Sequence, residues 1–462
     1  MSKTPKTSLD TLVALAKRRG FIFQGSEIYG GLGGTWDYGP YGVLLKNNIK
    51  NLWWKHFVTE RDDMYGLDTA ILMNARVWEA SGHTGAGFAD PLVEDLVTHK
   101  RYRADHLLED NGVDDAASLT MEQMDAKIKD LKLKSPDGNE LSPARVFNLM
   151  FRTQIGPVDD TSAMVYLRPE TAQGMFVNFK NVIDTIHPRL PFGLAQIGKN
   201  FRNEITPKEF IFRVRELEIM ELEYFIHPDT WEAQFNRLQQ LSHAWFKRVG
   251  LEPSDIHELD VPAADRAHYS KKSIDFEYAY PFGIKEIGAI AYRTNFDLSN
   301  HMRESGADMN YLDPVTNEKF VPHVLEPTFG LDRHFLAVIA AAYEEEQVGD
   351  GNTRIVLHFK PELAPIKIAV SPLLRNKPEL VEKAQAVFHT LKQDFGNVMY
   401  DDNGNIGKRY RRQDEIGTPL CVVIDFDSLE DQAVTVRDRD TMEQARVKLD
   451  ELTAYCHKQL GW

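Results

Sequence analysis

The sequence predicts an α+β protein in two parts, a long body that alternates strands with short helices and a compact α/β domain behind it. Three observations carry that expectation. Over residues 161–335, alternating apolar and polar positions repeatedly give way to short helical stretches. From Ile366 the pattern changes to the alternating strand IKIAVSPL and the helical PELVEKAQAVFHTLKQDFG. The 462 residues suffice for two or three domains with sizeable cores. The body is expected over 1–355, with an inserted, partly helical region at about 81–160, and the second domain over 363–462.

Composition excludes several classes. Cys421 and Cys456 are the only cysteines, so there is neither a disulfide framework nor a thiolate zinc cluster, which fits a reducing cytoplasm. No apolar run is long enough to span a bilayer, and the polar start MSKTPKTSLD lacks the form of a signal peptide. A net charge of −15 argues against a general nucleic-acid coat, while leaving room for a local basic patch.

Taken in order, the chain opens with an amphipathic helix ending at Lys17, Arg18 and Arg19. Gly30, Gly31, Gly33 and Gly34 follow; with no buried strand before them and no Lys-Ser or Lys-Thr after, they read as a flexible loop rather than a nucleotide cradle. An amphipathic helix is expected from about Gly42 to Phe57. The stretch DHLLEDNGVDDAASLTMEQMDAKIKDLK reads as polar helix ending at a turn around Pro136, Asp137 and Gly138. In VYLRPETAQGMF a strand runs into a helix, with Thr171 as N-cap. A long helix is expected from about Leu331 to Glu346, then a linker, QVGDGNTR. In the last domain Gly396 closes the first helix, and Asp440 with Glu443 reads as a capping box for the final one.

The chemistry concentrates in Phe201–Phe225, FRNEITPKEFIFRVRELEIMELEYF. Arg202 and Glu204 are two apart and would share one face of a strand. A turn at Thr206, Pro207 and Lys208 leads to a second strand expected from near Ile211, carrying Arg213 and Glu221. Such a mixture of charges is costly to shield from water unless it meets a ligand bearing both signs, such as a nucleoside triphosphate beside an amino acid. Arg333, in HVLEPTFGLDRHFLAVIAAAYEEE, falls in the first turn of a helix, where a cation opposes the helix dipole. A bound anion would reverse that cost; an ion pair with Asp332 or Glu326 is the alternative. Glu286 and Arg293 fall on a strand–turn–strand, and Lys408, Arg409, Arg411 and Arg412 share a helical segment with Tyr410, a pattern suited to RNA or to a solvated face.

Together these segments closely resemble the class II aminoacyl-tRNA synthetases, and within them the homodimeric glycyl-tRNA synthetases, over nearly the whole chain. The Phe-Arg-x-Glu element resembles class motif two, Gly330–Arg333 motif three, and the helix after Gly39, Pro40 and Tyr41 motif one, the dimer-forming element. RPETAQG, RYRADHLLED, ELEIMELEYF, GKRYRRQDEIGTP and VTVRDRD resemble the glycyl family specifically. The resemblance implies an antiparallel sheet flanked by helices, then an α/β anticodon-binding domain. It implies attachment of glycine to tRNA(Gly) through glycyl-adenylate, with ATP as substrate and Mg2+ as cofactor, in a cytoplasmic homodimer.

The resemblance also assigns roles. Arg202 would hold the α-phosphate and the glycine carboxylate, Glu204 the adenine end, and Phe212 the adenine ring. Arg213 and Arg333 would hold the β- and γ-phosphates. Glu286 and Ile287 would line the ATP site, with Glu286 a magnesium ligand. Asn203, Val214, Arg215, Glu216 and Leu217, with Gly330, Leu331 and Asp332, would complete that site. Glu170 and Glu221 would receive the glycine ammonium, helped by the Thr328 hydroxyl. Arg103, Arg293 and Glu326 would complete the amino-acid pocket, with Leu217, Glu218, Ile219 and Met220 from one motif and Pro327, Phe329 and Gly330 from the other. Lys408, Arg409, Arg411 and Arg412 would bind tRNA.

Two departures matter. Thr328 stands where the family usually has serine, and its extra methyl is expected to tighten exclusion of alanine. His83, His99 and His106 lack thiolate partners, so no structural zinc is expected. A catalytically inactive, RNA-binding relative is the competing reading; it would be free to lose Arg202, Glu204, Arg213 or Arg333, and all four remain.

Overall fold

The structure is a computed structural model that describes residues 7–85, 88–157, 164–263, 265–349 and 351–462. A seven-stranded sheet organises the body. Its strands are β1 (Met64–Gly66), β2 (Phe192–Phe201), β3 (Glu216–Ile226), β4 (Ile256–Asp260), β5 (Lys272–Tyr280), β6 (Gly283–Thr294) and β7 (His323–Gly330). Their spatial order is β4-β5-β6-β7-β3-β2-β1, antiparallel throughout except β1 beside β2. The helices around it are α1 (Leu9–Arg18), α2 (Pro40–Trp54), α3 (Ala172–Val177), α4 (Trp231–Arg248), α5 (Phe296–Ser305) and α6 (Leu331–Ala342).

Alternation along the central strands divides the sheet. Met220, Leu222 and Tyr224 of β3, Leu325 and Phe329 of β7 and Ile290 of β6 join Trp53 of α2, Phe57 just beyond it, Trp245 and Phe246 of α4 and Phe335 of α6 in one core. Each such side chain contributes roughly 1.5–3 kcal/mol on burial. The intervening residues, Glu221, Thr328, Glu326 and Arg293 among them, face the other way, where α3 and α5 close over a smaller core containing Phe176, Phe192, Phe225 and Leu298.

Several expectations are corrected. β2 stops at Phe201 and β3 starts at Glu216, so Arg202, Glu204 and Arg213 lie on a looped connector rather than on strands. Glu209 and Phe210 adopt left-handed conformations (φ 60° each) and fold that connector back on itself, with an isolated bridge from Lys208 to Arg213. The helix α6 ends at Ala342; Glu344–Glu346 belong to strand Tyr343–Gln347, paired with Thr353–Leu357, and Arg354 binds Glu346 across that hairpin at 2.5 Å. Gln347, Thr353 and Arg354 of QVGDGNTR are therefore paired strand residues and not linker, while Asp350 lies outside the described residues. Asp440 and Glu443 cap no helix. They sit in the turn after Asp438, whose Oδ1 accepts from the Asp440 and Thr441 amides, and the last helix starts only at Leu452. The polar stretch at 105–132 forms two helices, Ala104–Glu109 and Met121–Asp130, the second with a Thr120–Gln123 capping box.

The second domain has a five-stranded mixed sheet of β8 (Ile368–Pro372), β9 (Val398–Tyr400), β10 (Leu420–Ile424), β11 (Ala433–Asp438) and β12 (Gln444–Lys448), ordered β9-β8-β10-β11-β12. Helices α7 (Pro378–Phe395) and α9 (Leu452–Leu460) pack into its apolar core, and α8 (Ile406–Ile416) lies against the body. Arg19, just beyond α1, meets Glu415 of α8 at 2.6 Å, and Arg354 meets Asp414 of α8 at 3.4 Å. No helix among the described residues is long and apolar enough to cross a membrane.

Gly42 shows how closely α2 is seated. A Cβ there would stand 1.8 Å from the carbonyl oxygen of Phe21. Gly42→Ala is therefore expected to lower stability by about 1–3 kcal/mol, the range for overpacking. A thermal melt reads this directly, and an unchanged Tm would mean that α2 moves away freely.

Candidate active site

A cavity of about 320 Å³ opens where the 202–215 connector, the C-terminal end of β7 and the first turn of α6 meet. Arg202, Glu204, Phe212, Arg213, Val214, Leu217, Glu286, Thr328, Gly330 and Arg333 line it, with Arg103 and Asp90 at one side. Among the described residues no carboxylate pairs with Arg202 or Arg213, and Arg202 gives only its Nε to the Pro169 carbonyl at 3.2 Å. Arg103 is held by Asp90 at 2.9 Å and by Asp105 at 3.0 Å. The connector rests on the glycine loop. The Arg215 amide donates to the Gly34 carbonyl at 2.9 Å, its Nη1 to Gly33 at 2.5 Å, and a Cβ on Gly34 (φ +73°) would lie 2.6 Å from Pro207. That loop is thus a fitted seat and not a free one.

Arg333 is paired neither with Asp332 nor with Glu326. Its Nη1 donates to the carboxylate and the carbonyl of Glu286, both at 3.0 Å, and its guanidinium lies 4.4 Å from the centre of the Phe212 ring. Burial, then Glu286 and Glu277, push the nearby Asp275 carboxyl up to about 7, against the opposing pull of Arg333. Asp332 points the opposite way. It accepts from the Glu218 amide at 2.8 Å, from Lys46 of α2 at 3.3 Å and from the Tyr38 hydroxyl. Its task is to fix α6 against α2.

Beyond Thr328 lies a buried acidic pocket. Glu221 accepts at one oxygen from the Thr328 hydroxyl, 3.0 Å away, and at the other from the Thr171 amide, 3.1 Å away, and the Thr171 hydroxyl. Thr171 occupies the N-cap position of α3, as expected, but spends its hydroxyl on Glu221 instead of the helix. Burial and then Glu170 raise the Glu221 carboxyl. Glu170 accepts from Gln173 at 2.9 Å and lies 3.2 Å from His83. Burial alone would raise its carboxyl, yet His83, Arg293 and Gln173 hold it well below the usual carboxylate range. Arg293 is fully buried, bound by Asp297 at 2.7 and 2.8 Å and by Glu326 at 2.6 Å, with the Tyr269 ring stacked 3.7 Å away.

The structure divides the residues selected from sequence. Glu218 turns its carboxylate to Lys46 and Lys50, at 3.0 and 2.6 Å. Met220, Ile287, Phe329 and Leu331 bury their side chains in the helical core, which leaves only their backbones for the cavity. Pro327 shares the parity of Leu325 and Phe329 on β7. Asn203 is tied by its amide to Leu149, and Glu216 pairs with Lys199 at the surface. His83, Thr171, Gln173, Tyr269 and Asp297 complete the acidic pocket and were not selected for it. Thr171 lies inside the family-like RPETAQG segment, and His83 carries no sequence signal beyond that of a potential metal ligand.

On α8 the four basic residues separate. Arg409 is buried and donates to the carbonyls of Asp402 (2.9 Å), Gly404 (2.8 Å) and Pro372, a structural use at odds with an RNA contact. Arg412 is engaged by Asp401 at 2.7 Å. Lys408 is exposed and Arg411 is 42% exposed; both border a surface hollow of about 480 Å³ together with Arg19.

Residues 151–343 match the class II tRNA synthetase core domain family (G, H, P, S and T), and residues 367–459 match the anticodon binding domain family. The chain is 51% identical to the glycine–tRNA ligase of Clostridium acetobutylicum, over 99% of this chain and 100% of the relative. It is 50% identical to that of Caldanaerobacter subterraneus over 98% of this chain and 99% of the relative, and 46% identical to that of Thermus thermophilus over 99% and 100%.

Asp275 supplies a test of the electrostatics. Folding that raises a carboxyl pKa favours its protonated form. The contribution is intact below the unfolded value, about 3.9, and is lost as pH rises toward the folded value. Asp275→Asn should therefore gain stability over the native chain progressively between pH 4 and pH 7, and then level off. A difference in Tm that does not vary with pH would contradict the raised carboxyl.

Proposed function

The chain belongs to the glycine–tRNA ligases, and on that premise we propose how its residues share the reaction. The enzyme attaches glycine to tRNA(Gly) with ATP. Glycine and ATP give glycyl-adenylate and pyrophosphate, and the glycyl group then passes to the 3′-terminal adenosine. The observation that carries the division of roles is the junction of two unlike sites: a cavity lined by Arg202, Arg213 and Arg333, and the buried carboxylates Glu170 and Glu221 behind it, joined to the cavity wall through Thr328.

No protein nucleophile is required, because the glycine carboxylate attacks the α-phosphorus directly. The protein must position the reactants and offset developing negative charge. In our reading Arg202 serves the α-phosphate and the glycine carboxylate, while Arg213 and Arg333 serve the β- and γ-phosphates. Forked, permanently charged guanidinium groups suit this work. Glu204 faces the adenine end. Adenine stacking on Phe212 requires the Arg333 guanidinium to lift by the thickness of a base. The carboxylates of Glu286 and Asp275 offer the oxygen donors that Mg2+ prefers, and the ion would neutralise triphosphate charge there. Glu170 and Glu221 receive the glycine ammonium. Arg103 closes the open side, and Arg293 with Glu326 stiffens the rear wall.

Glycine offers no side chain to grip, so selection against alanine must come from excluding a methyl that would otherwise gain up to ~0.8 kcal/mol. Thr328, on the cavity wall with its hydroxyl given to Glu221, places its own methyl in competition for that space. We propose further that Lys408 and Arg411 contact tRNA, that the protein works in the cytoplasm, and that it pairs into a homodimer through α2.

ATP–pyrophosphate exchange against all twenty amino acids tests the reading. Exchange should depend on glycine alone, and Arg333→Ala should lower its rate by about 10²–10³-fold, as for loss of one transition-state donor. Exchange driven by another amino acid would refute the substrate assignment. Lys408→Glu with Arg411→Glu should weaken tRNA charging and leave exchange intact; loss of both activities would make the α8 surface structural.

A further inference from the structure

Glu223 follows Glu221 on the same face of β3, and the reaction described above makes no use of it. It is fully buried, and neither carboxylate oxygen has a hydrogen-bond partner among the described residues. The register that pairs Glu221 with Thr328 and Tyr224 with Leu325 sets Glu223 across from Glu326 on β7. One oxygen from each of Glu221, Glu223 and Glu326 lies within 4.8 Å of the other two. Like charges directly opposite on neighbouring strands repel, and a site removed from water magnifies the repulsion.

The surroundings do not neutralise it. Glu221 faces Glu223 from its own strand, Glu326 from β7, Arg293 from β6 and Asp297 from α5, with Glu170 beyond Glu221. Glu170, Glu221, Glu223, Glu326 and Asp297 thus crowd one buried pocket, in which Arg293 is the guanidinium facing Glu223, while Arg168 acts on Glu221 and His83 on Glu170. The hydrogen bonds of Arg293 go to Asp297 and Glu326, and none reaches Glu223. An ionised carboxylate left in this way is strongly unfavourable. A protonated one needs an acceptor, and two acidic neighbours supply acceptors. Glu221 is held at both oxygens, by Thr328 at one and by Thr171 at the other.

We propose that Glu223 is a neutral carboxylic acid, a positioning residue that holds a proton between β3 and β7 and donates it within the Glu221–Glu223–Glu326 triad. The shared proton keeps the two strands together at that rung and leaves Glu221 oriented toward the ammonium. This consequence rests on the reading of Glu221 given above. Burial, then Glu326, push the Glu223 carboxyl well up, in the direction the geometry requires.

The test uses the full-length enzyme. Glu223→Ala should raise KM for glycine by about tenfold, the effect of losing one buried hydrogen bond, without moving KM for ATP. Glu223→Gln, which keeps a neutral donor of the same shape, should restore it, whereas Glu221→Gln should not retain glycine affinity. Thermal melts give a readout independent of activity. Because folding favours the protonated acid, the native chain loses stability as pH rises above the unfolded carboxyl value, and Glu223→Gln should gain in Tm over it increasingly with pH. A protonated-carboxyl infrared band that the native enzyme shows at neutral pH and Glu223→Gln lacks is also required, since Asp275 and Glu221 are raised as well. Three results would overturn the proposal: a glutamine variant as impaired for glycine as Glu221→Gln, stabilisation of the native chain by Mg2+ or K+ that Glu223→Gln abolishes, or absence of the infrared band. If the native enzyme failed to activate glycine, the function reading would fall, while the melts and the infrared band would still decide the state of Glu223.

Discussion

The site depends on the period-two alternation of β3, β7 and β6. Successive side chains of a strand point to opposite faces, so Leu222 and Tyr224 enter the helical core while Glu221 and Glu223 enter the polar pocket between them. The sheet is a partition, with aromatic packing on one side and charge on the other. A one-residue slip would exchange the faces. It would drive carboxylates against Trp53 and Phe57, so the core that stabilises the body also fixes where the charges stand.

The same principle operates at the start of α6, where opposite charges occupy adjacent positions. Asp332 suits the helix N-terminus and Arg333 does not. Asp332 is drawn toward α2 by Lys46 and Tyr38, and Arg333 is directed into the cavity onto Glu286 and Phe212. Mutual placement is achieved without an ion pair between the neighbours. The cation that opposes the helix dipole is compensated by a strand and an aromatic ring instead.

Local patterns revealed much of this, and long-range contacts hid the rest. The charge density of Phe201–Phe225 and the misplaced cation at Arg333 were visible because each breaks a local rule. The strand boundaries were not, because nothing in the identities of Glu209 and Phe210 announces left-handed backbone. Glu344–Glu346 would extend a helix as readily as a strand; Arg354, across the hairpin, decides for the strand. Arg409 reads like any surface arginine in a basic run, since only the fold brings the Pro372 carbonyl of β8 and the loop before α8 beneath it. His83 and Glu170 meet because helix Ala75–Ala80, just ahead of His83, packs against α3.

The N-terminal hairpin, strands Ile22–Gln24 and Trp36–Tyr38 with the glycine loop between, carries none of the arginines of the cavity. Yet it touches both segments that do. Trp36 packs edge-on against Phe210, 4.7 Å between ring centres, and Gly33 and Gly34 grip Arg215, while Tyr38 at the far end reaches Asp332. One short ribbon thus spans from the connector that bears Arg213 to the helix that bears Arg333. It acts as a caliper: the gap between two cations from distant parts of the chain is gauged by a third segment that never enters the chemistry.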